Sequence, residues 1–156
     1  MPAANSIFSC RTLRATAVIV LSVASVGCAH TTLEQQFQGI EACDIKDVYL
    51  DANTSKATGA YFTERRLQPC RPDEAAFYCI KDTFYGLTVS EVVIPYRGPF
   101  SVHAVYLEES RPVVEQTLRA RFKGIAFNRD DGATPFLIDD PKQPGRTVFY
   151  CDRHSE

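Results

Sequence analysis

Three kinds of residue in this chain have the types and spacing that chemistry uses. The first is His103, with His30 near the start of the chain and His154 near its end. An imidazole on a strand can act as a general base, but acyl-transfer catalysis also needs a nucleophile and an orienting acid. No G-x-S-x-G elbow is present, so a structural or surface role is the expectation for His103. The second kind is the carboxylate pairs Glu108-Glu109, Asp130-Asp131 and Asp139-Asp140, the raw material of glycoside cleavage. Each pair stands at the end of an expected element beside Ser, Gly or Pro, where solvated turn and helix-entry carboxylates are ordinary. Asp130-Asp131-Gly132 also fails as a calcium loop: with Gly132 at the sharp turn, the first and third ligand positions fall on Phe127 and Arg129. The glycines are scattered singly, so no phosphate cradle forms and no nucleotide cofactor is expected.

The third kind is cysteine. Cys43, Cys70, Cys79 and Cys151 lie in the body of the chain, with Cys10 and Cys28 before them. No C-x-x-C or histidine spacing accompanies them, which argues against zinc and for disulfides. The tripeptide Phe-Tyr-Cys occurs twice, ending at Cys79 and at Cys151. If the two strands were neighbours, Cys79 would bond Cys151 and leave Cys43 for Cys70; the rival pairing joins Cys70 to Cys79 through a short loop.

These residues must be positioned by elements the sequence marks well. Thr32-Leu-Glu-Gln35 has capping-box spacing, and Leu33, Phe37 and Ile40 follow at helical intervals, predicting a helix from Leu33 to Ala42. Asp51 to Gly59 is small and polar and reads as a loop, while Ala60 to Leu67 fits helix or strand equally. Ala76 to Lys81, Leu87 to Ile94 and Phe100 to Leu107 are rich in β-branched and aromatic residues and read as strands. The last two are joined by Pro95-Tyr-Arg-Gly-Pro99 and should pair antiparallel. Ser110-Arg-Pro112 opens a helix with the stripe Val114, Leu118 and Phe122, closed at Gly124. Ile125 to Asn128, Pro135 to Ile138 and Thr147 to Cys151 complete the set as short strands. The order implies an α+β domain over residues 33–156, its mainly antiparallel sheet covered on one face by helices.

The start of the chain carries an address. Arg11 and Arg14 precede the apolar run Ala15 to Ala24 and the small residues around Gly27. That arrangement is an export signal over residues 1–27, too short to be a permanent span. Ser25-Val26-Gly27-Cys28 resembles the lipobox of bacterial lipoproteins, departing from it at Ser25, where Leu is usual. The resemblance implies that Cys28 is acylated and becomes the first mature residue, with 28–32 a tether. Ala29, in place of the Asp that marks inner-membrane retention in that class, implies the outer membrane. Ordinary cleavage, giving a soluble periplasmic protein, is the alternative.

Without residues 1–27, fifteen basic residues face nineteen acidic ones, a net charge of −4. That disfavours nucleic acid and anionic lipid surfaces and allows a basic protein partner. The contact candidate is the rigid connection bearing Tyr96, Arg97 and Phe100, residue types enriched in binding hot spots. In location, size and bridges the chain is similar to small bacterial lipoproteins that neutralise periplasmic toxins or inhibit cell-wall hydrolases. The expected function is therefore a non-enzymatic protein-binding module, an immunity protein or inhibitor, with no metal and no cofactor. A cell-envelope hydrolase using His103 or paired carboxylates, and a structural or assembly lipoprotein, are the alternatives.

Overall fold

The computed structural model describes residues 30–97 and 100–154, without the side chains of Pro72, Phe100 and His154. Helix α1 (Leu33–Gln36) starts at Thr32, whose hydroxyl accepts from the Gln35 amide while the Gln35 side chain accepts from the Thr32 amide. The capping box is thus present, but the expected helix to Ala42 is interrupted. Gly39 adopts φ 94°, and a Cβ there would sit 2.6 Å from the Asp44 carbonyl oxygen, so the chain turns and resumes as a 3-10 turn at Ile40–Ala42. The turn still delivers Leu33, Phe37 and Ile40 to the core.

The segment read as a loop holds a small hairpin, β1 (Leu50–Asp51) and β2 (Lys56–Ala57). Ala60 to Leu67, undecided from sequence, forms helix α2 (Ala60–Glu64), which buries Tyr61 and Phe62. The main sheet comprises β3 (Arg71–Pro72), β4 (Ala75–Phe84), β5 (Leu87–Pro95), β6 (Phe100–Leu107), β7 (Phe136–Asp139) and β8 (Thr147–His154). Its spatial order is β3-β4-β5-β6-β8-β7, antiparallel throughout. β4 runs past the expected end at Lys81 to a two-residue turn at Tyr85 and Gly86, both with positive φ, the twist that suits a tight hairpin. Helix α3 (Arg111–Arg121) carries Pro112 in its first turn and buries Val114 and Leu118. The α+β class with a helix-covered antiparallel sheet is what the chain adopts.

Two further expectations are overturned. Ile125 to Asn128 forms no strand. Asn128 instead stands at φ 60° and clamps β7: its Oδ1 accepts from the Leu137 amide at 2.8 Å and its Nδ2 donates to the Leu137 carbonyl at 3.2 Å. One amide side chain thus does the pairing that a strand backbone would have done. Of the two cysteine pairings left open, the structure has the rival, with Cys70 joined to Cys79 and Cys43 to Cys151, and not the one drawn from the repeated tripeptide. β4 and β8 are separated by β5 and β6, so Cys79 and Cys151 cannot reach each other and the repeated tripeptide carries no pairing information.

Candidate functional site

The residues singled out for catalysis are scattered and occupied. His103 is buried, with its Nε2 2.7 Å from the Val48 carbonyl oxygen and its Nδ1 3.4 Å from the Ser101 hydroxyl. Nε2 must carry the proton it donates to the carbonyl, leaving Nδ1 as acceptor. Burial pushes the imidazole pKa below its ordinary 6.5, partly opposed by the Val48 bond. The ring therefore ties the 43–49 segment to β6, beside the Cys43–Cys151 bridge, since His103 and Cys151 are register partners.

At least one member of each carboxylate pair is engaged within the chain. Glu109 accepts from the Thr88 amide at 2.9 Å, and Glu108 pairs with Arg146 at 3.3 Å. Asp131 accepts from the Thr134 hydroxyl and the Ala133 and Thr134 amides, which holds its carboxyl below the usual range. Asp140 is buried and accepts from the Lys142 amide, while Asp139 reaches Arg111 at 3.8 Å. Cys70, Cys79 and Glu91 place ligand-type atoms within 4.8 Å of one another, but both sulfurs are committed to their disulfide.

The Tyr96–Arg97 connection folds against β1. Tyr96 bridges Leu50 and packs on the core, and the Arg97 amide donates to the Leu50 carbonyl at 3.2 Å with its guanidinium 5.6 Å from the Tyr49 ring. Arg97 remains exposed. The side chain of Phe100 and the whole of Cys28 lie outside the described residues.

What sequence reasoning missed is the second face of the sheet. The helices and the β1–β2 hairpin cover one face; on the other the register sets side chains in rows. One row runs Phe77, Val93, Ala104, Tyr150, Phe136, and the next runs Cys79, Glu91, Tyr106, Val148, Ile138. In the first row the small Val93 and Ala104 lie between Phe77 and Tyr150, and in the second Val148 lies between Tyr106 and Ile138, so the surface is a trough rather than a plane. Val93, Ala104 and Val148 form the floor at 3%, 4% and 4% exposure, shielded by their neighbours Phe77, Tyr106, Tyr150 and Ile138. The concavity measures about 1060 Å³.

The walls are braced. Tyr150 stacks on Phe136 with ring centres 5.1 Å apart. The Arg71 guanidinium lies 3.9 Å from the Phe77 ring centre and pairs with Glu91 at 3.2 Å. Burial pushes the Glu91 carboxyl up, against the pull of Arg71 and then Arg146. The Cys70–Cys79 bridge fastens β3, and hence Arg71, to β4. One end of the trough is rimmed by Asp73, Glu74 and Asp152. The signal that would have found this face is the run of small or β-branched residues at Val93, Ala104 and Val148 between aromatics, but it becomes a surface only once strand order is known.

Strand addition at the β7 edge is blocked, because Asn128 already occupies the Leu137 amide and carbonyl. No protein-family model, no curated protein and no solved structure matches the chain.

Proposed function

We propose that this chain is a periplasmic lipoprotein, tethered to the outer membrane through Cys28, whose domain binds another protein without catalysing a reaction. The observation that carries the binding part is the trough, which no described element covers: an apolar, aromatic-walled concavity on the sheet, of the kind that marks interaction sites on soluble proteins. Against the hydrolase alternative stand the burial of His103 against a backbone carbonyl, the hydrogen bonds of Glu109, Asp131 and Asp140 to backbone amides and the ion pairs of Glu108 and Asp139. The tether rests on the lipobox-like Ser25-Val26-Gly27-Cys28, and the exported location agrees with two disulfides that close without using Cys28.

The test is cross-linking of the full-length chain in its native envelope, followed by identification of what it retains, with Ala104→Arg beside the wild type. An arginine rising from the floor fills the trough. A specific retained protein that is lost with Ala104→Arg supports the reading. Equal retention by both chains would remove the trough, and release of fragments from peptidoglycan by the purified chain would overturn the non-enzymatic part. Cys28→Ser should leave the membrane fraction; its persistence there would refute the tether.

A further inference from the structure

We propose that, once its exposed bridge is reduced, this chain binds one zinc ion at Cys70, Cys79 and Glu91. Two strand registers bring the three groups together. Cys79 and Glu91 are partners across β4 and β5. The pairing of Arg71 with Phe77 carries the preceding Cys70 to the other flank of β4, where its Cα lies 5.7 Å from that of Cys79. A sequence separation of 9 hides this pair from any C-x-x-C reading.

The ligand atoms of all three residues lie within 4.8 Å of one another. The Cys79 sulfur stands 4.0 Å from Glu91 Oε2. A tetrahedral zinc with Zn–S and Zn–O bonds of about 2.3 and 2.1 Å needs about 3.6 Å between those atoms, so the carboxylate has only about 0.4 Å to travel. The two sulfurs must part, which makes the site a property of the reduced chain alone. Both cysteines are exposed, within reach of a dithiol reductant. The reductant passes two electrons to the S–S bond, closes to its own disulfide and leaves two thiols. Zinc then forms two Zn–S bonds as the two thiol protons leave to water.

The surroundings suit that ion. Two thiolates, one carboxylate and a divalent cation sum to a single negative charge. The Arg71 guanidinium, 3.2 Å from Glu91 Oε1 and 3.4 Å from Oε2, offsets it and orients the carboxylate. Arg146 and Lys142 act on Glu91 in the same sense, and Asp140 opposes them. Two sulfurs beside one oxygen are donors for zinc, since calcium and magnesium take oxygen and copper(I) takes sulfur. The ion refastens β3 to β4 after the bridge has opened, with the fourth position left to water.

The experiment uses the full chain in detergent, reduced by an immobilised dithiol that is then removed, and titrated without oxygen with cobalt(II) as the probe. Thiolate-to-cobalt charge-transfer absorption should rise to one cobalt per chain, vanish on addition of zinc, and be absent from the oxidised chain. Cys70→Ser with Cys79→Ser, reduced in the same way, should show none of it, which separates the site from Cys28 and from the Cys43–Cys151 bridge. Glu91→Gln should weaken cobalt binding about tenfold or more, and Glu91→His, which restores a zinc ligand, should recover it.

Absence of the charge-transfer band from the reduced chain would overturn the proposal. So would an equal band in the double serine variant, one cobalt shared by two chains, or Glu91→Gln binding as tightly as wild type. Failure of Glu91→His to bind more tightly than Glu91→Gln would remove the carboxylate from the site and overturn it likewise.

Discussion

The two faces of the sheet are made from alternate residues of the same strands, yet they are packed by different means. Tyr78, Val92, Val105 and Phe149 face the helices and are buried by elements laid over them. Their immediate neighbours Phe77, Val93, Ala104 and Val148 face the other way, and there burial comes only from side chains standing beside them on the same sheet. A floor that is almost as inaccessible as the core, with no layer of the described residues above it, is held by its own walls. The covered face accordingly governs whether the chain folds; the open face is free to be shaped for contact.

The covered side should therefore dominate stability. Removing its bridge with Cys43→Ala and Cys151→Ala opens a closure of 108 residues in sequence separation and should cost about 4 to 5 kcal/mol in urea denaturation. Phe149→Ala, at 0% exposure, should cost about 3 to 5 kcal/mol. Tyr150→Ala, one residue along and on the open face, should cost about 1 kcal/mol; equal losses at the two positions would erase the distinction between the faces.

His103 sharpens the comparison through pH. Its folded pKa lies below the ordinary 6.5, so the unfolded chain takes up a proton that the folded chain resists. Its contribution is fully present above pH 6.5 and declines as pH falls from there toward the folded value. His103→Gln should flatten that limb of the stability profile and cost about 1 to 3 kcal/mol at neutral pH through the loss of the Val48 contact. A wild-type profile flat across the window would show that the imidazole titrates freely. Ala104→Arg, a large side chain at a position 4% exposed, should cost about 1 to 3 kcal/mol, in the variant expected to lose its partner altogether.

Local chemistry was legible where neighbours in sequence settle the outcome. The Thr32 capping box, the stripe of α3 and the antiparallel pairing of β5 with β6 follow from residues a few positions apart. What escaped depends on residues far apart in the chain. Ile125 to Asn128 has strand composition, but the Asn128 amide gives β7 its partner without a strand. The choice between the two cysteine pairings follows from strand order, which places Cys151 beside His103 and three strands along from Cys79. The trough escaped for the same reason, since Phe77, Val93, Ala104, Tyr150 and Phe136 become a row only across five strands. The Tyr96–Arg97 connection was visible as a rigid loop, but its packing on β1 was not.

The Cys70–Cys79 bridge has a practical consequence for anyone preparing this protein. Both its cysteines are exposed, whereas Cys43 and Cys151 are buried. A mild reductant should therefore open the exposed pair first and free the strand end that carries Arg71, while the folded core persists. Such a sample should keep its circular dichroism and lose its ligand. Alkylation followed by mass measurement would identify it, as two added labels on Cys70 and Cys79. Oxidised protein handled in a mild reductant can thus look native by every bulk criterion and still have one wall of its trough unfastened.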